Sequence, residues 1–229
     1  MLEVNNLHSG YGRTDVVHGV SFTVPDHSVF AVMGHNGAGK TTLLKTILGL
    51  LPVRSGTITF DGVDVNALKT HRRVQAGMAY VPQGQLSFPQ LTTMENLQLV
   101  ADGRKDGAVR IEEMLTRFPA LKKFEMRKAG LLSGGQRQQL SIARALITDP
   151  KLIILDEPTE GIQPNIVAEI EELVIALAKS GLSVMLVEQH VSFALTAAAG
   201  YAVLASGYLT ASGTGGADSV ESVMAAMTI

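Results

Sequence analysis

Apolar positions in this chain follow two periods. Short β-rich runs, "LEVNNL" and "VVHGVSFTV", lead to "SVFAVM", an apolar strand that ends at a glycine-rich loop. Residues 40–50 then read as a helix, and "GTITFDG" and "GMAYVPQ" as further strands. From residue 85 to residue 149 strand signals vanish. "TMENLQLVA", "AVRIEEMLTRF" and the run after Ser133, where Leu140, Ala143, Arg144 and Ile147 share a face, predict a helical insert. "KLIILDE" returns to strand. It is followed by "PNIVAEIEELVIALAK", where Ile166, Ile170, Leu173, Val174 and Leu177 recur at helical spacing behind Pro164 near the first turn. "LSVMLVE" is another apolar strand of the kind buried on both faces in parallel sheets. Strands alternating with helices predict a doubly wound α/β core. The sequence shows no internal repeat, heptad pattern or low-complexity tract.

Composition narrows the class. With 229 residues, 46% of them hydrophobic, the chain can build a substantial core, which excludes disorder and allows one large domain or two small ones. A formal charge of −2 and a pI near 6.3 give no general attraction to nucleic acid, although a local basic patch stays open. Cysteine is absent, so disulfides and thiolate metal sites are excluded, which fits a reducing compartment. "MLEVNNLHSGYG" lacks the basic-then-apolar order of a signal peptide. No apolar run approaches the roughly 20 residues that span a bilayer. Any membrane role is expected to come through partners.

The chemistry begins at "GHNGAGKTT". Residues 34–41 satisfy G-x-x-x-x-G-K-[ST], after a predicted strand and before a predicted helix, the context this phosphate loop requires. The glycines let backbone N–H groups close around a phosphate, Lys40 reaches the β/γ oxygens, and the Thr41 hydroxyl ligates Mg²⁺. "KLIILDE" carries Asp156 to the carboxyl edge of the sheet, where it can hold the metal through water, and Glu157 beside it is a candidate general base. Three further residues are weaker by position alone. Gln83, after the "AYVP" strand, can ligate Mg²⁺ or orient water, but on its own reads first as an ordinary loop glutamine. His190, after "VMLVEQ", can sense a γ-phosphate, or be structural. Tyr11, in a glycine-flanked loop, can stack on adenine, or be a surface aromatic of a hairpin.

A second glycine segment decides the family expectation. "LSGGQ", Leu132 to Gln136, lies between the phosphate loop and "LIILDEPT", and with them resembles the signature of the ATP-binding-cassette (ABC) ATPases over essentially the whole chain. The resemblance implies a P-loop (RecA-like) core with an N-terminal antiparallel β subdomain, residues 1–84 and 150–229, and a helical signature subdomain, residues 85–149. It implies ATP and Mg²⁺ as cofactors. The nucleotide would be held by Tyr11, Gly34, His35, Asn36, Gly37, Ala38, Gly39, Lys40, Thr41 and Thr42, and the metal by Thr41, Gln83 and Asp156. Glu157, His190 and Gln83 would be catalytic. In that family two cassettes pair head to tail, so Ser133, Gly134, Gly135 and Gln136 would act in trans on the nucleotide of the facing cassette. This would explain why one chain carries two glycine loops.

The wording narrows further. "LLKTILGLLPVRSGTITFDG", "YVPQGQLSFPQLTTMENL", "DEPTEGIQP" and "LVEQHVSFAL" look like ATPase subunits of importers for branched-chain amino acids and for urea or short amides. "RSG", "PQGQLSFPQLT" and the tail "SVESVMAAMTI" lean towards urea. The expected partners are a second cassette, identical or related, two transmembrane permease subunits and, indirectly, a solute-binding protein, with the chain peripheral on the cytoplasmic face of the membrane. No nucleic-acid partner is expected, since non-transport relatives usually carry two cassettes or a long coiled coil. One departure is "TAAAGYAVLASG", where Gly200 replaces part of a usual charged pair, a change expected to affect local turn stability.

Overall fold

The computed structural model describes residues 1–227, so Thr228 and Ile229 of the tail lie outside the described residues. An antiparallel hairpin of β1 (Leu2–Tyr11) and β2 (Thr14–Val24) leads into β3 (Val29–Met33), a fully buried strand, and then α1 (Lys40–Ile47). β4 (Ser55–Phe60), β5 (Val63–Asp64), α2 (Thr70–Gln75) and β6 (Met78–Val81) follow. Four α-helices, α3 (Thr93–Ala101), α4 (Gly107–Arg117), α5 (Pro119–Lys123) and α6 (Gly134–Ile147), then separate β6 from β7 (Leu152–Asp156). The chain continues through α7 (Pro164–Lys179), β8 (Ser183–Glu188), α8 (Val191–Ala197), the hairpin β9 (Gly200–Ala205) and β10 (Tyr208–Thr214), and α9 (Val220–Met227).

These strands form two sheets. The smaller has the order β2-β1-β4-β5 and is antiparallel. The larger has the order β10-β9-β3-β8-β7-β6 and is parallel except for the edge strand β10. Every residue of β7 and β8 is buried, as expected of strands covered on both faces. One apolar core lies where the large sheet meets the helical region, around Leu97, Leu140, Ile142, Ile153 and Leu186. The other joins the two sheets across α1, with Val4, Ile58, Leu43, Leu44 and Ile47 at its centre and the Phe22 and Phe30 rings stacked at 5.4 Å. Each such side chain contributes about 1.5–3 kcal/mol by leaving water. Parallel register brings the carboxyl ends of β3, β6, β7 and β8 to one edge, the edge at which α/β sheets bind ligands.

Two details differ from the sequence reading. The helix expected over residues 40–50 stops at Ile47, where buried Arg73 of α2 donates to the end carbonyls of Thr46 (2.9 Å), which also takes the Gly49 N–H (3.0 Å), and Ile47 (2.6 Å). Gly49 then turns at φ 73°, where a Cβ would stand 2.8 Å from Arg73 Nε. Gly200 is not a turn residue. It opens β9 opposite Phe30, and a Cβ there would lie 3.3 Å from the Phe30 ring, so its smallness serves the packing of β9 beside β3 within the large sheet.

Candidate nucleotide site

The loop from β3 to α1 is closed by its own backbone. A Cβ on Gly34 would stand 2.5 Å from the Leu204 carbonyl oxygen, and Gly37 and Gly39 take φ 85° and 101°, a region that L side chains disfavour. The Ala38 N–H donates to the His35 carbonyl at 3.1 Å, while His35, Asn36 and Gly37 are exposed. Lys40 curls back over this loop. Its ammonium donates to the carbonyls of Gly34 (2.7 Å) and His35 (3.2 Å) and lies 3.2 Å from Glu157 Oε1. Thr41 is exposed on the first turn of α1, and Thr42 is buried, its carbonyl accepting from the Thr46 hydroxyl at 2.8 Å.

Asp156 ends β7 in a buried position and accepts from the Tyr80 hydroxyl at 2.9 Å. Burial pushes its carboxyl above the usual range, with the Tyr80 bond opposing, and burial likewise pushes the Tyr80 phenol up. Glu157 sits at φ 45°, an uncommon conformation for a residue other than glycine, held by its N–H donating to the Val187 carbonyl at 2.8 Å. The side-chain amides of Gln83 and Gln189 each reach Glu157 Oε2 at 3.4 Å, and Gln83 also bonds Glu160 Oε2. Lys40, Gln83, Asp156 and Glu157 thus meet at one sheet edge.

Sequence reasoning missed Glu188. Its carboxylate, fully buried at the end of β8, accepts from the Thr159 hydroxyl at 2.7 Å and from the N–H groups of Gln189 (3.2 Å) and His190 (3.5 Å). Burial raises its pKa, with the Thr159 bond opposing. The carboxylate therefore ties the segment after Glu157 to the start of α8. The available signal was a lone acid ending the apolar run "LSVMLV", because a buried charge demands partners. Tyr80, Thr159 and Gln189 left no such signal.

His190 is exposed at the N-cap of α8. Tyr11 ends β1 at 46% exposure, with Lys45 Nζ of α1 5.8 Å from its ring centroid, which places the ring beside the helix that the phosphate loop opens. The second glycine segment lies elsewhere. Ser133 caps α6 in a reciprocal box: its hydroxyl accepts from the Gln136 N–H at 3.3 Å, and Gln136 Oε1 accepts from the Ser133 N–H at 3.0 Å. A Cβ on Gly134 would meet the Gln85 side chain at 3.3 Å, and one on Gly135 the Ile166 Cγ2 at 2.4 Å. Among the described residues, no hydrogen bond or ion pair joins 133–136 to 34–42.

A family model described as "ABC transporter" matches residues 17–160, from β2 through the phosphate loop and the Ser133 segment to Glu160. The chain belongs to the ABC transporter family. The cassette is 36% identical over 219 residues to the high-affinity branched-chain amino acid transport ATP-binding protein BraG of Pseudomonas aeruginosa, covering 95% of this chain and 94% of that one. It is 38% identical over 217 residues to a probable branched-chain amino acid transport ATP-binding protein, LivF, of Archaeoglobus fulgidus (93% and 92% covered). A lipopolysaccharide export system ATP-binding protein, LptB of Haemophilus influenzae, is 35% identical over 219 residues (93% and 90%). Among solved structures, a nucleotide-free ATP-binding cassette from an ABC transporter superposes with TM-score 0.89 at 26% identity, covering 98% of this chain and 95% of that one. The chain is an ABC-type ATPase with the mixed α/β cassette fold.

Proposed function

We propose that this cassette is the ATP-hydrolysing subunit of an importer, working through separate transmembrane subunits on the cytoplasmic face of a membrane. The observation that carries the catalytic reading is the meeting of Lys40, Asp156 and Glu157 at one sheet edge. Lys40 and the exposed N–H groups of residues 35–37 would hold the phosphates, and Tyr11 would stack on the base. Asp156, Thr41 and Gln83 offer only oxygen donors of the hard kind that Mg²⁺ takes, so the set fits that ion, which would neutralise charge on the β- and γ-phosphates. Glu157, oriented by Gln83 and Gln189, would accept the proton of the attacking water. His190 would donate to the γ-phosphate.

The placement of Ser133 to Gln136 away from residues 34–42 supports action in trans on a second cassette. Ser133 and the N–H groups of Gly134 and Gly135 open α6, where an anion is favoured.

No described helix is long and apolar enough to cross a membrane. A cavity of about 590 Å³ between the sheet edge and the helical region instead offers a docking place for membrane subunits. Leu86 (57% exposed) and Phe88 (49%) line it, with the Arg144 guanidinium 4.9 Å from the Phe88 ring centroid. Because Gln83 opens the segment that runs to Phe88, ATP-driven movement at Glu157 would reach this groove. Residues 1–84 and 150–229 would then act as the nucleotide core and residues 85–149 as the transmitting subdomain.

For the solute, the wording "RSG" and "PQGQLSFPQLT" favours urea or short amides, and the relatives BraG and LivF favour branched-chain amino acids. ATP turnover of the complex, assembled with its membrane subunits and a solute-binding protein, separates the two. Stimulation by urea- or amide-loaded binding protein supports the first reading, and stimulation only by leucine- or valine-loaded protein the second. Turnover independent of any solute-binding protein would overturn the importer reading.

A further inference from the structure

The β1–β2 hairpin carries a side-chain cluster that the nucleotide chemistry does not use. One donor atom each from His8, Asp15 and His18 lies within 4.8 Å of the other two. Both histidines are half-buried and Asp15 is exposed. Neither imidazole makes a hydrogen bond through its ring nitrogens among the described residues, although the His18 ring is held by stacking. His18 stacks on Tyr208 at 4.6 Å with its plane tilted by 18°, and its N–H donates to the Gly207 carbonyl at 2.9 Å. His8 Nε2 faces the open side of Gly19, where a Cβ would lie 3.4 Å from that nitrogen. Gly19 sits at φ 66°, so the space before the ring is kept by a residue whose backbone favours glycine. Arg54 occupies one oxygen of Asp15, and among the described residues the other has no hydrogen-bond partner.

Partly buried imidazoles usually use a ring nitrogen in a hydrogen bond. Two that converge on one carboxylate without doing so make a donor set for a cation. We propose that His8, Asp15 and His18 bind a divalent transition-metal ion of the zinc class, separate from any Mg²⁺ held with nucleotide. Two imidazoles and one carboxylate suit Zn²⁺, Co²⁺ or Ni²⁺, whereas Mg²⁺ prefers oxygen and retains its water. Zinc bonds of about 2.0–2.2 Å place tetrahedral donors about 3.4 Å apart. Rotation of the three side chains, Asp15 through the oxygen that Arg54 does not hold, would close the remaining gap, with water as the fourth ligand.

The ion would clamp β1 to β2 next to the nucleotide loops. His8 precedes Tyr11 on β1. His18 bonds Gly207, whose own N–H donates to the Ala38 carbonyl of the phosphate loop at 2.9 Å. Metal binding to the folded form alone stabilises it by mass action.

The test is titration of the purified full-length chain with Zn²⁺ against a chromophoric chelator, in the absence of nucleotide, followed by Co²⁺ substitution. Wild type should bind about one equivalent of zinc, show Co²⁺ d–d absorption of mixed nitrogen and oxygen ligation, and melt at a higher temperature with the metal. His8→Gln and His18→Phe, the latter keeping a ring against Tyr208, should each weaken zinc binding by about tenfold or more and lose the Co²⁺ spectrum. His71→Ala, on α2, should match wild type. Circular dichroism establishes that the variants are folded. His8→Asn replaces His8→Gln if the latter is not. Zinc binding of unchanged strength in folded variants at either histidine, or no zinc bound by wild type, overturns the proposal.

Discussion

Glu157 Oε1 lies 3.2 Å from Lys40 Nζ, and the two side chains are only 7% and 6% exposed. The proposed base and the proposed phosphate ligand are thus a buried ion pair, so a phosphate entering the loop competes with Glu157 for the ammonium. Replacing the carboxylate by an amide keeps size and polarity but removes the proton acceptor. Glu157→Gln should retain ATP binding and lose hydrolysis by about 10²-fold or more. Steady-state turnover in the assembled complex and nucleotide titration check this, and turnover within a few-fold of wild type would remove Glu157 from the role of base.

Lys40→Ala and Ser133→Arg should fail in different places. The first removes an ammonium from its own chain's phosphate loop and should weaken nucleotide binding by the isolated chain. The second alters a segment that contacts Gln85 and Ile166, away from that loop, and should leave monomer affinity nearly unchanged while cutting turnover of the complex. Titrations of both monomers, then ATPase assays of both complexes, measure the contrast. Equal weakening of monomer binding would place both segments at one nucleotide.

Glu188→Gln should separate positioning from binding. The amide can still accept from Thr159, but its N–H₂ end would face the N–H groups of Gln189 and His190, donor against donor. Turnover should fall several-fold with little change in nucleotide affinity. The stability gap between the two proteins should also depend on pH. Because burial raises the folded pKa of Glu188 above its unfolded value of about 4.5, the folded wild type takes up a proton that the unfolded chain does not. Its ionisation costs stability above the folded pKa, and that cost is relieved as pH falls. Wild type should therefore gain on the variant as pH falls from neutral towards the unfolded value of about 4.5. Urea denaturation across that range reads the trend, and a gap independent of pH would mean that Glu188 titrates normally.

Gly135→Ala should destabilise the fold. The added Cβ would stand 2.4 Å from Ile166 Cγ2, which belongs to a branched side chain with little freedom to retreat. The expected loss is about 1–3 kcal/mol by chemical denaturation. Ile166→Ala in the same chain should recover most of it, and additive effects in this double-mutant cycle would exclude the contact as the cause.

Local signals were the legible ones. The phosphate loop was readable because strand, loop and helix are contiguous, and glycine backbone freedom and lysine reach are properties of those residues alone. The apolar runs that became β3, β7 and β8 were readable because strands covered on both faces carry little else. The β9–β10 hairpin and α9 escaped notice, being short and placed by packing against β3 and α8. The end of α1 escaped too, since the guanidinium that satisfies its last carbonyls comes from Arg73 of α2.

Local pattern alone was enough for the fold class, the phosphate loop, the acid pair after β7 and a second glycine segment opening a helix. That Glu157 faces Lys40, that Tyr80 holds Asp156, that Glu188 ties Thr159 to the start of α8, and that His8, Asp15 and His18 converge came from the folded arrangement. The reason is physical: a contact between residues far apart in sequence imposes no period on either segment. It arises only when sheet order and register set which side chains meet, and each partner read alone is an ordinary polar residue.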